Sequence, residues 1–232
     1  MADSISTPPN EVSLDAGIRM DAMYRRQRHI YDFSRKFYLF GRDQMLDRLP
    51  AGAGETVLEI GCGTGRNLVR LARRRPALRL HGVDVSAEML ASSKASLTRA
   101  GLADKVPLAR AGAEGFDPRV AFGVEAFDTV YFSYVLSMIP DWRSAVDAAL
   151  ASLRPGGTLA VVDFADQSQV APWRRALLLS WLRLFHVHPR TEIEQGLREL
   201  AASHGGAVLD QDVLAGYAYI LMLRKQGPAA AA

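Results

Sequence analysis

The chain has 232 residues, 49% of them apolar and 23% charged, which are the proportions of an ordinary globular domain with room for a sizeable core. A net charge of +3 gives no global attraction to nucleic acid, and the single cysteine, Cys62, excludes an internal disulfide. The opening MADSISTPPNEV lacks the basic start and apolar run of a secretory leader, and the longest strongly apolar stretch, 176–185, is about half a membrane span and contains Arg183.

Taken in chain order, residues 1–17 read as a disordered tail and 18–50 as an N-terminal helical cap. The cap holds a helix over 20–40, rich in Arg and Tyr and ended by Gly41, and a short helix over 42–49. From 51 to 225 strands and helices alternate. Strand 56–60 leads to helix 66–75, which stops at Pro76; strand 79–85 leads to helix 87–100, capped by Ser86 and ended by Gly101. Strands follow at 106–110 and 127–132, then helix 141–153, a turn at Pro155-Gly156-Gly157 and strand 158–164. A helical insertion at about 166–190, helix 192–203 and strands 207–214 and 217–224 complete the pattern, with a second disordered tail over 226–232. The alternation predicts a doubly wound, Rossmann-like α/β sheet with helices on both faces.

The segment Glu59-Ile60-Gly61-Cys62-Gly63-Thr64-Gly65-Arg66-Asn67 lies where the first strand becomes the first helix. Glycines there permit a tight turn and close approach to a ligand. A dinucleotide fingerprint needs glycine at 61, 63 and 66, yet position 66 is Arg. Glu59 would repel a pyrophosphate but suits a cationic ligand. Asp84, ending the second strand, is placed to accept both hydroxyls of a ribose. Met89, one turn into the next helix, is equally suited to an adenine face or the core.

The run ExGxGxG, an acid about 25 residues on, then Phe127-Asp128-Thr129-Val130 and Leu153-Arg154-Pro155-Gly156-Gly157 resembles the class I S-adenosylmethionine-dependent methyltransferase family over roughly residues 42–224. The resemblance implies seven strands with an antiparallel last one. It implies that Glu59, Gly61, Gly63 and Gly65, with Cys62 beside them, cradle the amino-acid part of the cofactor. Asp84 would hold the ribose, with Val85 next to it, and Met89 would flank the adenine. Where the family often carries Gly-Asp-Ala after the third strand, this chain has Ala111-Gly112-Ala113-Glu114, so adenine would be held by Gly112 and Ala113 backbone or by Glu114.

On the first helix Tyr24, Tyr31 and Tyr38 are seven apart, as are Arg28, Arg35 and Arg42. On an ideal helix these six fall within about 80° of one another. Ile30, Phe33, Phe37 and Phe40 take the opposite face. Arg matches carboxylate or phosphate with a planar fork, and Tyr can border an ammonium by cation–π contact, so the face suits a zwitterion. Tyr24, Gln27, Arg28, Ile30-Tyr31-Asp32, Arg35, Gly41 and Arg42, continuing into EIGCGTGRN, resemble the N-methyltransferases that complete betaine lipids, converting diacylglyceryl-homoserine to its N,N,N-trimethyl form. That resemblance implies Arg28 or Arg35 on the homoserine carboxylate, and Tyr24 and Tyr31, with Tyr38, around the nitrogen. It also implies an upstream aminocarboxypropyl transferase. Phosphatidylethanolamine or an amine-bearing small molecule is the alternative acceptor. A protein that binds the cofactor without catalysis, or one that transfers its aminocarboxypropyl group, is a further alternative.

Trp173, Trp181 and the leucines of 177–184, with Arg174, Arg175, Arg183 and Arg190 and no acid, read as an interfacial helix for an anionic membrane surface or as a cleft cover. The expected location is the cytoplasm, with peripheral contact to the inner membrane face. His186 and His188 have no third ligand at useful spacing, so His186 and Arg190 read as substrate-side groups and no metal is expected. Ser133 and Tyr134, ending the fourth strand, would accept hydrogen bonds from the amine. Its first proton would go to a tyrosine, a histidine or water.

Overall fold

The computed structural model describes residues 39–165, 167, 173, 180, 190, 192–203, 206–214 and 216–227. The expected N-terminal helix, with Tyr24, Arg28, Tyr31, Arg35 and Tyr38, lies outside the described residues, as do the expected first tail, 228–232 of the second, His186 and most of the insertion.

The strands are β1 (Thr56–Ile60), β2 (Arg79–Asp84), β3 (Leu108–Arg110), β4 (Phe127–Ser133), β5 (Leu153–Phe164), β6 (Ala207–Leu214) and β7 (Ala218–Arg224). They form one seven-stranded sheet in the order β3-β2-β1-β4-β5-β7-β6. The first five pair in parallel, while β7 runs antiparallel to both β5 and β6. The described helices are α1 (Arg42–Arg48), α2 (Arg66–Arg74), α3 (Ala87–Arg99), α4 (Pro118–Phe122), α5 (Trp142–Ala151) and α6 (Glu192–Ser203).

Strands covered on both faces bury side chains in both directions, which is why β1 reads as a continuous apolar run rather than an alternation. Val57 joins the core under α1, α2 and α3, with Met45, Leu46, Leu68, Leu71, Met89 and Leu97. Leu58 and Ile60 join the other core, under α5 and α6, with Ala145, Val146, Ala149, Ile193 and Leu197. Helix starts follow local chemistry: the Ser86 hydroxyl accepts the Met89 N–H at α3, and Asp141 accepts the Ser144 N–H at α5.

Two expectations change. The Pro155-Gly156-Gly157 turn is part of β5: β4 advances from Phe127 to Thr129 while β5 advances from Leu153 to Thr158, so the glycines form a bulge. The bulge is held by Lys225, whose N–H donates to Gly157 and whose carbonyl accepts from Gly156. Helix α4 and two 3₁₀ turns, Ala113–Gly115 and Leu136–Met138, fill stretches with no expected element.

Candidate active site

The strand order reverses between β1 and β4, and the crevice beyond their C-terminal ends is where doubly wound sheets bind ligands. The glycine turn after β1 and Ser133-Tyr134 after β4 flank it. The turn is strapped to β2: the Gly61 and Cys62 N–H groups both donate to the Val83 carbonyl, at 2.8 and 2.9 Å. Gly61, Gly63 and Gly65 all have positive φ, at 74°, 53° and 74°. A Cβ on Gly61 would come within 2.6 Å of Val135, and one on Gly65 would strike Ser93. These two glycines therefore serve the turn's own packing as well as any ligand.

Glu59 is 1% exposed, on the face of β1 that looks towards α2. Its Oε1 accepts from Asn67 Nδ2 at 2.7 Å, and its Oε2 has no hydrogen-bond partner. In the parallel pairing of β1 with β4 it stands opposite Tyr131, whose buried hydroxyl is near enough to act on this carboxyl but makes no well-aligned hydrogen bond. Burial pushes the Glu59 carboxyl up to about 7, against Asn67, Tyr131 and the positive charge of Arg42. Arg42, seven residues after Arg35 but beyond Gly41, acts on the cofactor end of the site from the start of α1.

Asp84 is buried, and its carboxylate is already engaged: Oδ2 accepts the Gly63 N–H at 2.8 Å and Oδ1 the Ser86 N–H at 2.9 Å. A ribose would have to share these oxygens, which have further lone pairs to offer. Val85 is half-buried and its carbonyl accepts from Arg110 Nε at 3.0 Å. Met89 is 3% exposed and packs in the core with Leu68 and Leu97, so the core alternative holds for its side chain in this structure. Gly112 and Ala113 are buried at the start of the first 3₁₀ turn, and the Ala111 N–H donates to the Asp84 carbonyl at 3.2 Å. The adenine-side loop is therefore fastened to the ribose-side strand.

The fourth-strand residues divide. Ser133 is buried with its hydroxyl unpartnered, as an amine- or ligand-facing group would be. Tyr134 differs from expectation. It is buried in a left-handed conformation (φ 57°), its ring stacks edge-on against Phe164, and its hydroxyl donates to the Phe40 carbonyl. Burial holds its pKa well above the usual phenol value, so it braces the chain entering α1 and is a poor proton acceptor. Arg190 donates to the Ile139 and Pro140 carbonyls, tying the chain ahead of α6 to the loop after β4.

Sequence reading overlooked Asn67, Tyr131, Asp163 and Gln167. Asp163, a carboxylate inside the apolar run of β5, is 1% exposed. It accepts N–H groups from Ser137 at 3.1 Å and Phe164 at 2.8 Å, and burial pushes its pKa up to about 6. It so anchors the Leu136–Met138 turn, whose neighbour Val135 rests on Gly61. Gln167, just past β5, is 1% exposed with φ 59°, and neither its amide nitrogen nor its amide oxygen has a partner. An aspartate within an apolar strand was the available signal for Asp163; Tyr131 and Gln167 offered none, because their surroundings come from other segments. Among the described residues no group of three or more His, Cys, Asp or Glu is arranged to hold a metal. No described helix is long and apolar enough to cross a membrane.

The cradle fits S-adenosylmethionine: a buried, unpartnered carboxylate oxygen for its ammonium, a second carboxylate at the end of β2, and a glycine turn between them. The family model described as a methyltransferase domain matches residues 58–159, the stretch that carries all three parts. The chain is similar to trans-aconitate 2-methyltransferase of Paracidovorax citrulli (strain AAC00-1), with 32% identity over 146 residues, covering 58% of this chain and 52% of the relative. The chain spans about half the length of the curated relatives it matches. In fold it is similar to the mitomycin 7-O-methyltransferase MmcR, with a TM-score of 0.70 and 18% identity over 90% of this chain and 60% of the other. It is also similar to a SAM-dependent methyltransferase from Aquifex aeolicus, with a TM-score of 0.61 and 16% identity over 82% and 93% of the two chains.

Proposed function

We propose that this chain methylates the amine of a lipid headgroup, diacylglyceryl-homoserine above all, using S-adenosylmethionine. The transfer half of the reading is carried by one observation: Glu59 Oε2, buried and unpartnered, beneath the glycine turn at the sheet's switch point. The acceptor half rests on the Tyr24–Arg42 pattern and its resemblance to the betaine-lipid subgroup.

The bound cofactor supplies an activated methyl on a sulfonium, so the protein's share is alignment and exclusion of water rather than strong acid–base work. Glu59 would hold the ammonium end and Asp84 the ribose. Ser133 would present its hydroxyl to the incoming amine at the end of β4. Asp163, through Ser137, fixes the loop that forms the far wall. Arg28 or Arg35 would take the acceptor carboxylate, and Tyr24, Tyr31 and Tyr38 would border a nitrogen of growing methylation. The family match ends at residue 159, so it bears on the cofactor half and leaves the acceptor segments 20–42 and 166–190 to this reading. Peripheral contact with an anionic membrane by the arginine-rich insertion, and supply of the acceptor by an upstream aminocarboxypropyl transferase, belong to the same proposal.

A second reading is O-methylation of a small carboxylic acid, favoured by the name of the curated relatives, trans-aconitate 2-methyltransferase. One experiment separates the two. Incubation with methyl-labelled cofactor and a lipid extract containing diacylglyceryl-homoserine gives chloroform-soluble label that alkali does not release as methanol. Label that stays in the aqueous phase and is released by alkali as methanol is a methyl ester and rejects the lipid reading.

A further inference from the structure

Helices α2 and α3 lie side by side on one face of the sheet. Arg66, Val69 and Arg73 fall on one stripe of α2, while Ser96 and Arg99 fall on one stripe of α3, followed by Ala100. The two stripes, with Thr64 of the glycine turn, enclose an open groove of about 290 Å³. Among the described residues no carboxylate lines it.

The arginines around α2 divide by partner. Arg70 and Arg74 pair with Asp47, Arg70 also with Asp43, and Arg75 donates to the Leu49 and Ala51 carbonyls. Those three fasten α1 to the domain. The groove arginines are different. Arg73 has no ion-pair or hydrogen-bond partner among the described residues. Among the described residues the Arg99 guanidinium meets only the Ala95 carbonyl, at 3.3 Å, and the Ser96 hydroxyl, at 3.2 Å. Arg66 alone has a carboxylate, the exposed Asp43. Two uncompensated guanidiniums and a third at the rim raise the local positive potential, and two hydroxyls supply further donors.

We infer that the α2–α3 groove is an oxyanion site for a phosphate group, held by Arg73 and Arg99 with Arg66, Thr64 and Ser96 around it. Planar guanidiniums grip phosphate oxygens two at a time, which favours phosphate over a monovalent halide. The phosphate belongs to a soluble anion or to a phospholipid headgroup, and the chemistry of the groove is common to both. The site shares no residue with the acceptor assignment above, so it stands or falls separately from it.

The test uses the full chain in two arms. Isothermal titration with inorganic phosphate in low chloride measures a soluble ligand. Co-sedimentation with phosphatidylglycerol vesicles, against phosphatidylcholine vesicles, measures a lipid one. Saturable binding in either arm, weakened about tenfold or more by Arg73→Ala/Arg99→Ala and by added salt, supports the site and names its source. Arg73→Lys/Arg99→Lys keeps the charge but loses the fork, so it restores binding only in part. Unchanged cofactor affinity and melting temperature in both variants exclude misfolding. Absence of saturable binding in both arms, or binding indifferent to the Ala pair, overturns the inference.

Discussion

The Asp84 carboxylate accepts the Gly63 N–H across 2.8 Å, so the residue read as a ribose ligand also holds the glycine turn in shape. Its other oxygen accepts the Ser86 N–H at the start of α3. Asp84→Ala leaves both buried donors unpaired, at a cost of about 2–4 kcal/mol. The expected outcome is a lower urea midpoint and a cofactor affinity weaker by at least about tenfold. Asp84→Asn, which keeps one acceptor oxygen, should fall between wild type and Ala in both. A variant with lost affinity but full stability would mean that the turn does not depend on this carboxylate.

Glu59 gives a pH dependence of defined sign. Its carboxyl is raised from 4.5 to about 7, and Asp163 from 3.8 to about 6. A carboxyl raised in the folded state favours folding most below its unfolded value, and that advantage is lost as pH climbs through the folded value. The protein without ligand should therefore lose stability between about pH 4 and 7. Glu59→Gln removes the larger share, so it should be more stable than wild type at pH 8 by up to about 3 kcal/mol, with the gap closing near pH 4.5. Urea unfolding at the two pH values reads this directly. An equal or lower stability of Glu59→Gln at pH 8 would count against an ionised carboxylate being costly there.

The same variant separates stability from binding. A cationic ammonium beside Glu59 favours the ionised form, so cofactor binding should expel a proton near neutral pH and tighten as pH rises through 7. In Glu59→Gln the affinity should be weaker and flat with pH over that range. Titration calorimetry in buffers of different ionisation enthalpy measures the proton release.

Gly61 and Gly54 make a paired test of backbone and packing. Both have positive φ, 74° and 81°, but a Cβ on Gly61 meets Val135 while one on Gly54 meets nothing within 4 Å. Gly54→Ala should cost about 1–2 kcal/mol from conformation alone. Gly61→Ala should cost distinctly more and should also lower cofactor affinity, because Val135 belongs to the loop over the site. Thermal unfolding of both variants, with a cofactor titration of each, is sufficient.

Tyr134→Phe removes only the hydroxyl that reaches the Phe40 carbonyl. A loss of about 1 kcal/mol and faster limited proteolysis just ahead of α1 are expected. Retained methyl transfer would agree with a bracing role; a fall in turnover at unchanged stability would return the phenol to the reaction.

Much of the frame was legible in the sequence, for local reasons. Apolar runs bounded by turn residues located β1 to the residue and β2, β4 and β7 to within one. The glycine turn and Asp84 were legible because strand ends at the switch point have fixed places in this fold. The start of β5 was not, since a Pro-Gly-Gly run that usually ends a strand is accommodated here by a bulge clasped by Lys225, 68 residues beyond Gly157 in the sequence. The Glu59–Tyr131 relationship escaped because register, not spacing, creates it. The protein partners of Asp84 and Tyr134, Gly63 and Phe40, were not legible because they become neighbours only on folding. The Tyr24–Arg42 face stays a sequence inference, since all of it but Arg42 lies outside the described residues.

The position of β7 has a consequence for synthesis. Although made last of the seven strands, it lies inside the sheet, between β5 and β6, and supplies Tyr219, Leu221 and Leu223 to one core and Ile220 and Met222 to the other. A nascent chain emerging from the ribosome can build its α2–β5 half early, but it carries an open, hydrogen-bond-hungry edge along β5 until 218–224 arrives. A chain truncated just before β7 would leave the β5 edge open and both cores short of their β7 side chains, a sticky fragment rather than a smaller domain.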